Sequence, residues 1–180
     1  RKISGHQKID YNSLLAICLL TAKIAAAQDL DTTTSPNSSK QPIFKIKKEL
    51  VKLEKNVETD AYFTQRVLLA NAYFAKNKLA SALSSSWQTI QFSKAAKKSP
   101  KDIYKLLGDV YSRLYLSDSA LFYYENYYQA LDNKAFEERM YALQRLSILH
   151  TDNGSLSKAL DYCISGIRIA NKNDDKKNQA

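Results

Sequence analysis

The chain of 180 residues repeats itself, and this repeat restricts the fold more than any other feature of the sequence. The similar stretches are LLANAYFAKNKLASAL (68–83), LLGDVYSRLYLSDSAL (106–121) and RLSILHTDNGSLSKAL (145–160). Each contains a leucine followed at once by a small residue. A residue with a ring side chain stands three positions after the small residue, and an alanine stands nine positions after that ring residue. Equivalent positions are offset by 38 and then 39 residues. Self-similarity at a period of this length predicts stacked helical hairpins.

The residue types at these positions explain how two helices of one unit could pack. A small residue after the leucine lets the first helix approach the second closely, and the alanine on the second helix accepts that approach. The leucine and the ring then fill the groove between the helices. The positions predicted to make these contacts are Leu69, Ala70, Tyr73 and Ala82 in the first unit, Leu107, Gly108, Tyr111, Ala120 and Tyr124 in the second, and Leu146, Ser147, His150 and Ala159 in the third.

These positions resemble the tetratricopeptide repeat, whose consensus has aromatic, Leu-Gly, Tyr, Gly, Ala, aromatic and Ala positions in that order. The middle unit matches best, through Tyr104, Leu107-Gly108, Tyr111, Ala120 and Tyr124. The resemblance implies an all-α fold, an α-solenoid of antiparallel helical hairpins wound into a right-handed superhelix. The units here are longer than the usual length of about 34 residues. The final consensus alanine is also replaced, by Thr89, Tyr127 and Gly166.

The three hairpins are predicted at 61–98, 100–133 and 135–171. A capping helix at 43–58 precedes them, because its apolar residues recur at steps of three and four, as in an amphipathic helix: Ile43, Ile46, Leu50, Leu53 and Val57. We expect this helix to cover the open edge of the stack, and a coiled-coil dimer is the alternative. Residues 172–180 are interpreted as a charged tail or as the start of a truncated further repeat.

The front of the chain has the order of a secretory signal over residues 1–27. A basic, polar lead precedes the apolar run LLAICLLTA (14–22), and Ala25 and Ala27 fit an A-x-A cleavage site. The run is shorter than the about 20 residues that a spanning helix needs, and an uncleaved anchor or a buried helix is the alternative. Residues 28–42 are rich in Ser, Thr, Asn and Pro and predict a flexible linker.

We therefore expect an exported protein, periplasmic or otherwise extracytoplasmic. Contact with a membrane is expected only through this signal or through a segment downstream. After cleavage Cys163 is the one remaining cysteine, so no intramolecular disulfide can form.

Seven of the twelve tyrosines lie between Tyr104 and Tyr128. Most recur at helical spacing, which favours a role in packing, whereas Tyr115 and Tyr123 lie off this stripe and are predicted to be exposed. The formal net charge of +9 is compatible with a nucleic-acid partner. Base stacking, however, needs aromatic residues interleaved with Arg or Lys. Residues 117–132 contain no Arg and no Lys. We predict no binding of nucleic acid.

The residues that could take part in catalysis or metal binding do not form a catalytic pattern. His150 occupies a ring position of the repeat, and one histidine and one cysteine after cleavage cannot build a familiar zinc site. The four glycines lie too far apart for a phosphate-binding loop. We expect no enzyme activity, no cofactor and no metal.

By its resemblance to peptide-binding members of the family, the chain is expected to bind a protein or peptide in a groove lined by the first helices of the units. The groove positions are Asn71, Lys105, Asp109, Arg113, Gln144 and Arg145. Three of these are basic and favour an acidic segment. Asn71 matches the asparagine with which the family clamps a peptide backbone, and Asp109 and Ile148 replace it in the next two units.

A second functional interpretation makes the chain a fragment of a longer protein. The export signal, the linker and the extended units resemble the exported N-terminal region of bacterial sensor histidine kinases and related regulators. The chain would then be the extracytoplasmic sensory region of a two-component signalling protein. A fourth unit, a membrane span and a kinase core downstream would distinguish this alternative from a free interaction module.

Overall fold

A computed structural model describes residues 42–57, 59–95 and 97–178 of the chain. The predicted signal and almost all of the predicted linker lie outside these residues. The fold of the described part is all-α, as predicted, and contains no β-strand there. Its helices are α1 (Ile43–Leu53), α2 (Asp60–Ala75), α3 (Leu79–Ala95), α4 (Lys101–Arg113), α5 (Ser117–Gln129), α6 (Phe136–Asp152) and α7 (Leu156–Asn178). A short 3-10 helix, Glu54–Asn56, continues α1.

Each helix packs against the next one along the chain, and α2 also contacts α4. The contacts are most extensive within three pairs, α2 with α3, α4 with α5, and α6 with α7. These pairs lie at the positions of the three repeat units. The last helix continues to Asn178, through most of the residues interpreted as a charged tail or a further repeat.

The turn inside each pair has the same backbone geometry. One residue adopts a left-handed conformation, namely Asn77 (φ 53°), Tyr115 (φ 57°) and Gly154 (φ 73°). The following N–H donates to the carbonyl of the ring residue five positions earlier: Lys78 to Tyr73 at 2.9 Å, Leu116 to Tyr111 at 3.0 Å and Ser155 to His150 at 2.7 Å. This pattern is a Schellman motif, which ends a helix by satisfying its last carbonyls. The repeat is therefore present in the backbone as well as in the sequence.

The starts of α4 and α5 have no side-chain cap. Pro100 is the N-cap of α4. Leu116 is the N-cap of α5. At α2, Thr59 accepts a hydrogen bond from the N–H of Tyr62 at 3.3 Å, a cap that the sequence analysis missed.

Helices α4 and α5 approach each other closely at Gly108. A Cβ on Gly108 would lie 2.7 Å from ring carbons of Tyr124, nearer than real Cβ contacts allow. Tyr124 itself is almost fully buried. The remaining positions assigned to packing are all buried except Tyr73, Tyr111 and Ser147, which are half-buried. The three repeat alanines, Ala82, Ala120 and Ala159, have no exposed surface.

Helix α1 buries its apolar stripe on α2. Ile46 and Leu50 pack with Tyr62, Leu69 and Ala72. Val57 stays 37% exposed because α1 ends at Leu53 and the chain changes its helical period there. The face that a coiled-coil dimer would need is thus occupied within the chain.

The prediction for Tyr115 is confirmed, since this side chain is 91% exposed, but that for Tyr123 is wrong. Tyr123 is buried because α5 is covered on more than one side. Its ring stacks on Tyr111 at a centroid distance of 5.4 Å, and Trp87 of α3 packs edge-on at 6.0 Å. Burial, together with Tyr111 and Tyr104, raises the pKa of Tyr123 to about 12.

Gly108→Ala should destabilise the protein. The added methyl group meets a ring that cannot withdraw, and overpacking costs typically 1–3 kcal/mol, more than the helix gains when alanine replaces glycine, about 1 kcal/mol. Gly166→Ala is the matched control, because its methyl group would lie 3.7 Å from Met140 Cε, an ordinary contact. Chemical denaturation should give a lower free energy of unfolding for the first variant and a higher one for the second. Equal changes in the free energy of unfolding for the two variants would contradict the close contact between Gly108 and Tyr124.

Tyr115→Asn should stabilise the protein by about 0.5–1 kcal/mol, because asparagine tolerates the left-handed conformation better than tyrosine. The exposed ring contributes little packing that could be lost. Gly154→Ala is the opposite test. The space around the added Cβ is open, so only the strain of a positive φ would act. Stability should fall by about 1 kcal/mol. Thermal melting of both variants measures the two effects, and a destabilised Tyr115→Asn would show that the Tyr115 ring stabilises the fold.

Candidate functional site

The six predicted groove residues lie on three helices, Asn71 on α2, Lys105, Asp109 and Arg113 on α4, and Gln144 and Arg145 on α6. The structure brings Lys105, Asp109 and Arg145 together around Tyr141. Arg113 contacts α2 instead. Gln144 is half-buried on α6.

Asp109 is the centre of the cluster and links three helices. Its Oδ1 accepts hydrogen bonds from the hydroxyl of Tyr124 on α5 at 2.6 Å and from that of Tyr141 on α6 at 2.5 Å. Burial raises the pKa of both phenols well above the ordinary value, and the charge of Asp109 raises it further. Both phenols are therefore hydrogen-bond donors at neutral pH, and Asp109 is held firmly in place.

The ring of Tyr141 is shared by two cations. Lys105 Nζ lies 4.4 Å from the ring centroid, and the guanidinium carbon of Arg145 lies 5.1 Å from it. Burial alone would lower the pKa of Arg145, but Tyr141, Tyr124 and Asp109 together raise it. With two cations and one carboxylate, the cluster formed by Lys105, Asp109, Tyr141 and Arg145 has a net charge of +1.

Arg113 extends the basic surface toward α2. Its guanidinium carbon lies 4.0 Å from the ring centroid of Phe74, while the side chain itself remains exposed. Lys105 and Arg113 are eight residues apart on α4, which corresponds to about 12 Å along the helix axis. Two positive groups are thus held on aromatic rings at separated points of one helix.

Asn71 is placed differently from the expectation. Its side-chain amide donates to the carbonyl of Val67, one turn earlier in the same helix, at 2.9 Å. Short polar side chains within helices often bond to their own backbone in this way. That hydrogen bond must break before Asn71 can clamp a peptide.

The sequence analysis missed Tyr141, although the cluster is built around it. The available signal was its position four residues before Arg145, which places both side chains on one helical face. The repeat gave no further indication, because the equivalent positions in the other units are Thr64 and Asp102.

His150 has the surroundings of a packing residue. It is 5% exposed, its ring stacks on Tyr162 at a centroid distance of 5.4 Å, and its Nε2 makes no hydrogen bond to the described residues. Burial lowers the pKa of His150, and the charge of Lys158 lowers it further against a smaller opposing effect of Glu125. The imidazole is therefore neutral at pH 7.

Within 42–57, 59–95 and 97–178, no group of three or more His, Cys, Asp or Glu side chains could hold a metal ion. No helix of the same ranges is long and apolar enough to cross a membrane. A scan against protein-family models gives no match for the chain, and a search of curated proteins gives none either.

His150→Phe should reduce the acid sensitivity of the fold. Because the pKa of His150 is lower in the folded state than its unfolded value of about 6.5, the unfolded chain binds more protons as the pH falls through that region. The contribution of the neutral imidazole to the free energy of unfolding should therefore be fully present above about pH 7 and be lost on acidification.

Phenylalanine keeps the stacking on Tyr162 and has no proton to gain. The comparison is the free energy of unfolding of both proteins at several values between about pH 7 and pH 5, the range around the unfolded pKa. The loss on acidification should be smaller in the variant. Parallel curves would show that His150 does not contribute to the pH dependence.

Proposed function

We propose that this chain is an exported, non-enzymatic interaction module, a tetratricopeptide-like solenoid whose first helices, α2, α4 and α6, form a groove for an acidic peptide or protein segment. The observation that carries the proposal is the pair of cations, Lys105 and Arg113, held over aromatic rings of the two neighbouring first helices. Export is supported by the sequence pattern of residues 1–27 alone.

The solenoid is supported by the connections and the contacts together. Two helices that pack against each other and are joined by a turn of three residues are expected to be antiparallel. This applies to the turns at 76–78, 114–116 and 153–155. The same turn geometry recurs at the offset of the sequence repeat, and each pair buries its repeat alanine. The right-handed superhelix follows from the resemblance to the repeat family.

The groove is supported by side chains that connect the first helices. Arg113 of α4 reaches Phe74 of α2, and Lys105 of α4 reaches Tyr141 of α6. A third connection is the ion pair between Lys101 of α4 and Glu138 of α6, with an Nζ to Oε1 distance of 3.0 Å. These contacts support a position of α4 between the other two first helices, as the lining of a common surface requires.

The charge of this surface determines the proposed partner. Neither Lys105 nor Arg113 forms an ion pair with a carboxylate of the described residues. Contact with a ring holds a cation in place without neutralising it. Carboxylates of a bound segment would therefore find two positive groups already positioned, which favours an acidic partner over a neutral one.

Lys105→Glu combined with Arg113→Glu should weaken the binding of a fluorescently labelled oligoglutamate peptide by about tenfold, since each exposed ion pair contributes up to about 1 kcal/mol. Arg145 is left unchanged because it belongs to the buried network around Asp109, and its reversal would disturb the fold. Fluorescence anisotropy measures the affinity, and circular dichroism checks the helix content.

The matched control reverses one arginine and one lysine that are exposed on α7, Arg168→Glu with Lys172→Glu. This variant has the same net charge as the first and should bind like the unchanged protein. Equal weakening by both variants would mean that the peptide responds to total charge and not to the groove. No binding of oligoglutamate by the unchanged protein would contradict an acidic partner.

A further inference from the structure

The outer face of α1 carries a surface that the proposed groove does not use. We define this outer face as Phe44, Lys45, Lys48, Val51, Lys52 and Lys55. All six side chains are exposed, including Phe44 at 78% and Val51 at 63%. Phe44, Lys48 and Val51 follow each other at steps of four and three residues, so they share one side of the helix. Lys55 lies just beyond them, on the 3-10 helix that continues α1.

This face is strongly basic. Residues 43–55 contain five lysines and two glutamates, a net charge of +3. Lys52 is paired with Glu49 at 2.8 Å, whereas Lys45, Lys48 and Lys55 form no ion pair with the carboxylates of the described residues. The hydrogen bond from Lys52 lowers the pKa of Glu49, burial opposes this effect, and the charges of Lys52, Lys48 and Lys45 lower the pKa further.

The opposite face of α1 is already used. Ile46 and Leu50 are buried against α2, so the helix is fixed on the body of the protein and cannot turn its apolar stripe outward without separating from α2. Packing on α2 therefore leaves Phe44 and Val51 in water as a stable feature of the fold. Two exposed apolar side chains beside lysines match a partner with both apolar and anionic character.

We propose that the outer face of α1 binds the surface of an anionic lipid bilayer. A bilayer surface interacts favourably with both kinds of side chain, because lysines interact with the phosphates while apolar groups enter the boundary between headgroups and acyl chains. Nucleic acid would interact with the lysines but would place Phe44 and Val51 beside phosphates. A protein partner would need a larger apolar centre than two separated side chains provide.

The binding is weak and reversible. Each lysine near an anionic surface contributes about fivefold to the affinity, and the apolar area of Phe44 adds to this. The proposal concerns a different surface from the peptide groove, and it holds or fails independently of it.

The first test is sedimentation of the full chain with vesicles made of an equimolar mixture of phosphatidylcholine and phosphatidylglycerol. Lys45→Glu, Lys48→Glu and Lys55→Glu together should reduce partitioning by about a hundredfold. The matched control, Lys97→Glu, Lys134→Glu and Lys172→Glu, changes the net charge equally at exposed lysines on other parts of the chain. It should change partitioning by less than about threefold, because distant charges are screened by salt.

The second test concerns the apolar residues. Phe44→Ser with Val51→Ser should weaken binding to the same vesicles by about tenfold, whereas Leu156→Ser with Ile167→Ser, at exposed apolar positions of α7, should leave it unchanged. Vesicles of phosphatidylcholine alone report any binding through the apolar run 14–22. All variants contain that run, so it does not affect the comparison.

The third test places a fluorophore on the surface. The chain contains a single tryptophan, Trp87 on α3. A variant with Trp87→Phe and Phe44→Trp should show a blue shift of its emission on addition of the anionic vesicles, and the unchanged protein should show none.

Two outcomes would overturn the proposal. One is equal loss of vesicle binding in the α1 triple variant and its charge-matched control, which would assign the effect to total charge. The other outcome combines two observations. The emission of the Phe44→Trp variant stays at its aqueous wavelength when vesicles are added, and the protein binds an oligonucleotide through the three α1 lysines. That result would assign the surface to nucleic acid.

Discussion

The contact between Gly108 and the ring of Tyr124 holds the middle of this protein together. No other residue than glycine fits there, because a Cβ would enter the space of the ring. The approach brings the Tyr124 hydroxyl to Asp109, the residue after the glycine, and Asp109 also accepts the hydroxyl of Tyr141 from α6. One close contact in the second pair of helices thus contributes to the attachment of the third pair.

The same contacts determine the charge of the candidate groove. Asp109 is engaged by two phenols and lies near Arg145, while Lys105 and Arg113 rest on aromatic rings that position them without removing their charge. This surface is therefore basic because of how its side chains are arranged, not because the chain as a whole is basic. The outer face of α1 is basic for a different reason, a local excess of lysines, and its exposed Phe44 and Val51 favour a different partner.

The repeat is preserved more strictly in the backbone than in the side chains. Asn77, Tyr115 and Gly154 differ in size and polarity, yet all three adopt a left-handed conformation and precede the same hydrogen bond. The turn is imposed by the packing of the two helices that it joins. Tyrosine accepts this conformation at a cost of about 1 kcal/mol, which the contacts of the middle pair outweigh.

The sequence by itself determined the helical fold and the positions at which helices meet, because the period of a helix and the size of its contact residues are local properties. It did not determine the burial of Tyr123, the role of Tyr141 or the internal hydrogen bond of Asn71. Each of these depends on which neighbouring helix covers a given face. That choice is made by packing between residues far apart in the chain, so only the tertiary structure decided it.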